Sequence, residues 1–288
     1  MNSGESRQFT HNSSLSTVHS LAFTLAETLI VMGIIGVVAA LTIPNVNKNT
    51  GRAESVAKLK KIHAELNEAH SRATAVYGPF ETWFVNDSCS DNTNCFNTRA
   101  RYFNRITEFM KLQKNCGCKS GEDELCGVTA VNNGCMSGSN KLLYGDPYSM
   151  SIYSQTYPRA IVASGWSFAI VDLIKNRTYS PPYYGYTFNK SIGTIMVDID
   201  GPKKGKNTVG IDLFEFVITS DGIYPYGGGT YWDDAGIKDC ARLGYKCTEW
   251  VIRNGNMDYL DAYHTNDSNK GKCKSNGKQL STTVSSCK

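Results

Sequence analysis

A single carboxylate, Glu27, lies near the start of an apolar run that extends from Ala22 to Pro44. A run of about 20 apolar residues is enough to cross a bilayer. A carboxylate inside the bilayer costs at least about 2.5–3.5 kcal/mol on insertion scales, and a cationic partner would offset this cost. The pattern therefore predicts either a plain membrane anchor, with Glu27 among the headgroups, or a helix that assembles with a partner.

The second set of reactive side chains is formed by ten cysteines, in two groups separated by about a hundred residues. They are Cys89, Cys95, Cys116, Cys118, Cys126, Cys135, Cys240, Cys247, Cys273 and Cys287. Zinc is the alternative, with Cys116 and Cys118 as a candidate pair, but no paired knuckles and no suitably placed His complete a site. The scattered spacing favours disulfides and hence an oxidising compartment for the residues after Pro44. Their connectivity stays open.

Three aspartates, Asp198, Asp200 and Asp212, fall within fifteen residues of a polar loop. Hard cations such as Ca²⁺ are bound by several oxygen ligands on flexible loops. The loop therefore suggests a calcium site, although its spacing is not that of an EF-hand and three lysines dilute its charge. The alternative is a polar turn whose aspartates accept hydrogen bonds from backbone amides.

No pattern in the chain is typical of an enzyme or of a nucleic-acid-binding protein. The sequence contains no G-x-S-x-G elbow, P-loop or H-E-x-x-H motif. His63 and His70 share one face of a predicted helix, and we expect them to be solvated or at the edge of its packed face. The net charge is only +4, and no basic stripe is interleaved with aromatic residues. We expect no catalytic residues and no nucleic-acid partner.

Apolar residues recur at steps of three and four between Asn45 and Gly78, which predicts an amphipathic helix. Gly78 and Pro79 should end it. If it continues the apolar run, one long helix begins at Phe23, with a bend expected at Pro44. The predicted buried stripe consists of Val56, Leu59, Ile62, Leu66, Ala69, Ala73 and Val76.

The remaining chain predicts an α+β fold rather than α/β, because no helices alternate with its strands. Strands rich in β-branched and aromatic residues are expected at Ser167–Leu173, Gly193–Ile199 and Leu213–Thr219, with a turn into Ile223. They should form an antiparallel meander that covers the helix stripe. Residues 79–231 would form the head domain, with a cysteine-rich irregular part and one helix at Arg101–Leu112. Residues 232–288 would form a C-terminal extension with a short helix around Trp250–Ile252, ending at Asn254-Gly255.

One segment resembles the processing motif of type IV prepilins and type II secretion pseudopilins. It consists of Ala22-Phe23-Thr24-Leu25-Ala26-Glu27-Thr28-Leu29, followed by Gly33, Gly36 and Pro44. The resemblance implies that residues 1–22 are a leader, which a prepilin peptidase removes between Ala22 and Phe23. The same enzyme would methylate the new amine of Phe23. Residues 23–44 would be the transmembrane and assembly half of the helix, residues 45–78 its amphipathic half, and Glu27 would pair with the Phe23 amine of a neighbouring subunit. Ala22 stands where most of the family has Gly.

By this resemblance the chain is a structural subunit of a type IV pilus or of a pseudopilus. Its partners would be the prepilin peptidase, other subunits and an inner-membrane assembly platform. The precursor would cross the inner membrane once, with its C-terminal domain outside the cytoplasm. Lysines and arginines after Pro44 argue for the opposite orientation, but the cysteines and the motif outweigh them. The alternative function is a membrane-anchored extracytoplasmic ectodomain that binds a ligand or adheres without polymerising.

Overall fold

A computed structural model describes residues 25–84, 96–117, 134–136, 140–148, 157–174, 192–229 and 232–288. The chain divides into two compact units, residues 1–49 and residues 50–288. The second unit combines helices with one antiparallel sheet, so the predicted α+β class is confirmed.

Helix α1 spans Leu25–Tyr77, a length of 53 residues. Pro44 lies within it and does not end it. Gly78 ends it as predicted: its amide donates to the carbonyl of Thr74 at 3.0 Å, and its φ of +82° suits a residue without a Cβ. Judged by length and mean hydropathy together, none of the helices in the described part of the chain could cross a membrane. Phe23 lies outside the described residues, and the transmembrane half expected for residues 23–44 stays a prediction.

The sheet is a six-stranded antiparallel meander in which the strands follow one another in chain order. Its strands are β1 (Leu112–Gly117), β2 (Arg159–Val162), β3 (Ser167–Ile174), β4 (Ile192–Asp198), β5 (Leu213–Thr219) and β6 (Gly222–Pro225). The three predicted strands agree with β3, β4 and β5 to within one residue. β1 and β2 were not predicted, because β1 (LQKNCG) is mostly polar and the four residues of β2 (RAIV) are too few to show a period-two signal.

Both faces of the sheet are buried, and its register places alternate residues on the two faces. Phe168, Val197 and Phe214 are paired in one row across three strands and belong to the larger core, which also contains residues of α1. The neighbouring pair Ala169 and Met196 belongs to a second core on the opposite face. Because both faces are covered, the central strands read as nearly continuous apolar runs.

The C-terminal half of α1 packs on the sheet through its apolar stripe. Six of the seven predicted stripe residues are buried, and only Val76, at 63% exposure, is not. Polar contacts fix the register of helix and sheet: Asn67 donates to and accepts from the backbone of Ile223, at 2.9 and 2.8 Å. The indole of Trp166 donates to Glu65 at 3.0 Å.

Helix α2 spans Phe96–Thr107 instead of the predicted Arg101–Leu112. It ends early because residues 108–110 form a turn and Leu112 already starts β1. A single turn of 3-10 helix, Phe80–Trp83, precedes it. Phe80, Trp83, Tyr102 and Phe103 of these two elements lie in the larger core, so the cysteine-rich part builds more core than its polar sequence indicates.

The C-terminal residues form α3 (Asp234–Leu243), α4 (Cys247–Asn254) and a 3-10 turn at Asp258–Asp261. Gly255 ends α4 in the left-handed conformation, as expected from Asn254-Gly255. This part is tied to the rest of the second unit: the Tyr259 hydroxyl donates to the Gly210 carbonyl at 2.5 Å, and Arg52 of α1 pairs with Asp261. Buried apolar side chains of this part, among them Ile237, Trp250 and Tyr259, belong to the same core as the sheet and α1.

Candidate functional site

The predicted processing site falls partly outside the described residues, which include neither Ala22 nor Phe23. Glu27 is described, lies in the first turn of α1 and is exposed in the isolated chain. A carboxylate in a first helical turn interacts favourably with the partial positive charge of the helix N-terminus. The position therefore suits a carboxylate that remains accessible to a second molecule.

The residues that follow Glu27 on α1 leave many large apolar side chains exposed. These are Leu25, Leu29, Ile30, Val31, Met32, Ile34, Ile35, Val37, Val38 and Leu41. Contiguous apolar surface of this kind is unusual on a soluble monomer and marks a contact with lipid or with another protein. Gly33 and Gly36 interrupt it, and a Cβ built on either would meet nothing within 4 Å.

The polar loop after β4 is organised around Asp212. Its carboxylate accepts hydrogen bonds from the amides of Lys206, of Asn207 at 2.8 Å and of Thr208 at 2.6 Å. Burial and the nearby charge of Asp200 raise the pKa of Asp212, while these three amides act against that rise. This is the capping role that the sequence left open as the alternative to a metal ligand.

Asp198 and Asp200 have different surroundings. Asp198 is fully buried, and burial together with the charge of Asp212 raises its pKa to about 7. Asp200 pairs with Lys58 at 2.9 Å. Among the residues that the structure describes, no three His, Cys, Asp or Glu side chains are grouped so that they could hold a metal ion. The calcium site at Asp198, Asp200 and Asp212 therefore stays a prediction, and the hydrogen bonds favour the capping role.

His70 is not at the edge of the packed face, as expected, but inside it, with only 2% of its surface exposed. Phe80, Trp83 and Tyr102 surround the ring, and Nδ1 lies 3.1 Å from the Tyr102 hydroxyl. Burial lowers the pKa of His70 to about 4. Its spacing of four residues from Leu66 and three from Ala73 was the signal that could have placed it in the stripe.

His63 is half-buried at the sheet surface of α1. Its ring stacks on Phe216 with 5.3 Å between the centroids, and Nε2 lies 2.8 Å from the Ile223 carbonyl. The two histidines therefore make separate packing contacts and do not form a joint site.

Disulfides are present, as predicted, and three pairs are described: Cys116–Cys135, Cys240–Cys247 and Cys273–Cys287. Each pair joins cysteines within one of the two sequence groups. Cys116 is paired with Cys135, so it does not form a zinc knuckle with Cys118. Cys89, Cys95, Cys118 and Cys126 lie outside the described residues.

Comparison with known proteins returned no matching family model, no matching curated protein and no matching solved structure.

Proposed function

We propose that this protein is a structural subunit, a pilin, minor pilin or pseudopilin, that polymerises through helix α1. The proposal rests on one combination. The sequence motif from Ala22 to Leu29 overlaps the start of a helix that has ten exposed large apolar side chains between Leu25 and Leu41. Packing these side chains against neighbouring copies would keep them out of water once a filament extends beyond the membrane, where exposed apolar surface is unfavourable. The antiparallel sheet packed on the second half of α1 is consistent with a pilin-like head.

In this proposal, a prepilin peptidase cuts between Ala22 and Phe23 and methylates the new amine. Residues 23–44 rest in the inner membrane before assembly, with the head outside the cytoplasm. The Glu27 carboxylate of one subunit then pairs with the Phe23 amine of the next. Separating two buried opposite charges is costly, so the pair sets one axial offset between subunits. Glu27 is accordingly an assembly residue and not a catalytic one.

The test is to express the full chain with a prepilin peptidase and an assembly platform and to compare it with Glu27→Gln. N-terminal mass spectrometry of the wild type should find methylated Phe23 as the first residue, and sheared filaments should contain the protein. Glu27→Gln is nearly isosteric but carries no charge. We expect it to be cleaved and to remain in the membrane fraction, with filament yield reduced at least about tenfold by loss of the ion pair.

The matched control is Glu54→Gln, an exposed glutamate of the same helix beyond the apolar segment. It should assemble normally. An unprocessed N-terminus in the presence of the peptidase would contradict the proposal and favour the membrane-anchored ectodomain. Normal filaments from Glu27→Gln would contradict the role of Glu27.

A further inference from the structure

We propose that the second unit carries a binding site for a small molecule with two or more phosphate-type or sulfate-type groups. The site is a cleft beside α1 that is lined by five lysines: Lys58, Lys61, Lys114, Lys203 and Lys204. This proposal is independent of polymerisation and goes beyond it, because it concerns what the head binds.

The cleft consists of two adjoining cavities of about 320 Å³ and 680 Å³, which share Gly165, Asp200 and Lys204. One wall is the exposed side of α1 at Lys58 and Lys61. The opposite wall is the loop after β4 that carries Lys203 and Lys204, and β1 contributes Lys114 at the far end. Three sequence-distant segments thus place ammonium groups around one space.

The concave shape is held by two turns in close contact. Gly165, between β2 and β3, has a φ of +96°, and Gly201, after β4, has a φ of +78°. A Cβ built on Gly201 would collide with the carbonyl oxygen of Gly165. Only glycine allows this approach, and the backbone of both turns lines the larger cavity together with Lys114, Lys203 and Lys204.

The charge of the cleft is only partly neutralised within the protein. Lys58 pairs with Glu54 at 3.0 Å and with Asp200 at 2.9 Å, and Lys61 lies 3.6 Å from Glu65. Lys114, Lys203 and Lys204 form no ion pair with any residue that the structure describes. Among the side chains that line the two cavities, Asp200 is the sole carboxylate. A concave surface in which one sign of charge predominates focuses its field and attracts the opposite ion.

The size of the cleft and the overall charge favour a small ligand over a nucleic acid. Both cavities fall in the range of about 300–1,000 Å³ that is typical of small-molecule sites. A net charge of +4 for the whole chain does not provide a broad field for a long polyanion. Three unneutralised lysines fit a ligand with two or more oxyanion groups better than a single phosphate.

The test is titration calorimetry on the full chain in a nonionic detergent, with inorganic pyrophosphate, inorganic phosphate and a disulfated disaccharide as probes. We expect pyrophosphate or the disaccharide to bind. The probe with the higher affinity shows whether the natural ligand carries phosphate or sulfate groups. Inorganic phosphate should bind at least about tenfold more weakly than the better probe, since it makes fewer charge-assisted contacts.

Lys203→Gln combined with Lys204→Gln should weaken binding about tenfold or more. The matched control, Lys278→Gln with Lys288→Gln, removes the same charge from exposed positions outside the cleft and should not. Both lysine pairs are exposed, so all variants should keep the melting temperature of the wild type. Asp200→Asn should strengthen binding, because it removes the competing carboxylate, whereas Asp221→Asn in the β5–β6 turn should leave binding unchanged.

Three results would overturn the proposal: no heat with either multivalent probe, equal weakening in the two lysine pairs, or unchanged binding in Asp200→Asn. Binding of single-stranded DNA that pyrophosphate does not displace would instead identify an extended nucleic-acid surface. None of these results bears on filament assembly, so failure of this site and failure of the proposed polymerisation are distinguishable.

Discussion

His70 is a titratable group enclosed by aromatic rings, and this makes the stability of the second unit depend on pH. Its pKa is about 4 in the folded protein, against about 6.5 for an exposed histidine. The folded state holds the ring neutral, whereas the unfolded chain binds a proton below about pH 6.5. Stability from this group is therefore complete above that pH and is lost as the pH falls towards 4. The total loss is about 3 kcal/mol.

We expect His70→Gln to flatten the fall in unfolding free energy between pH 6.5 and pH 4.5. The measurement is urea unfolding of the wild type and the variant at several pH values. Asp198 titrates in the same range, so the quantity to compare is the difference between the two slopes. Tyr102→Phe is the control: burial is the main cause of the lowered pKa, so this variant should keep the wild-type slope. Identical slopes for wild type and His70→Gln would contradict the assignment.

Helix α1 illustrates how one element can have two different surroundings. From Leu25 to Leu41 its large apolar side chains are exposed, whereas from Val56 to Ala73 an apolar stripe is buried in the larger core. Its apolar residues are continuous in the first part and periodic in the second. Continuous apolar sequence needs a partner on all sides, while periodic sequence needs one on a single face.

The two ends of the predicted stripe give a matched pair of substitutions. Leu66 is fully buried, and Leu66→Ala should destabilise the second unit by about 2–5 kcal/mol, since it removes apolar contacts and leaves a cavity. Val76 is 63% exposed, and Val76→Ala should change stability by less than about 0.5 kcal/mol. Thermal and urea unfolding of the full chain measure both. Similar losses in the two variants would mean that Val76 is also packed.

At the scale of the whole molecule, the polar C-terminus is part of the fold. Residues 273–287 form a disulfide-closed loop in which the Ser275 hydroxyl donates to the Cys287 carbonyl at 2.7 Å. The Ser286 hydroxyl donates to Asp258 at 2.5 Å, which ties the loop to the 3-10 turn. A cross-link stabilises such a loop mainly by restricting the unfolded chain.

Replacing Cys273 and Cys287 together by alanine should cost about 2–4 kcal/mol of unfolding free energy. Both Lys274 and Lys278 are exposed, and limited trypsin digestion should cut after them faster once the loop can open and adapt to the protease. Lys288→Gln, an exposed change beside the disulfide, is the control and should leave stability unaltered. A variant as stable and as resistant as the wild type would show that hydrogen bonds alone hold this loop.

Patterns that repeat along the chain were predictable from the sequence, because hydrophobic periodicity and the residues that end helices are local features. The stripe of α1 up to Ala73, the stop at Gly78, the central strands and the end of α4 at Gly255 all followed from spacing or from glycine. The presence of disulfides followed from the number and scatter of the cysteines. The processing motif at Ala22 and Phe23 and the assembly role of Glu27 remain predictions.

Features that depend on contacts between distant segments required the tertiary structure. The burial of His70 arises from rings that α2 and the preceding turn bring to it. The pairing of β1 with β2 joins one polar segment with one of only four residues, and neither predicts a strand by itself. The sequence identifies Asp212 as an acidic residue, but the three backbone amides donate to its carboxylate only after the loop has folded. The Lys58, Lys114 and Lys203 side chains form one cleft because three segments meet there. The sequence by itself thus determined the local elements and where apolar partners are needed, while long-range packing decided which charged and titratable groups are buried, paired or gathered.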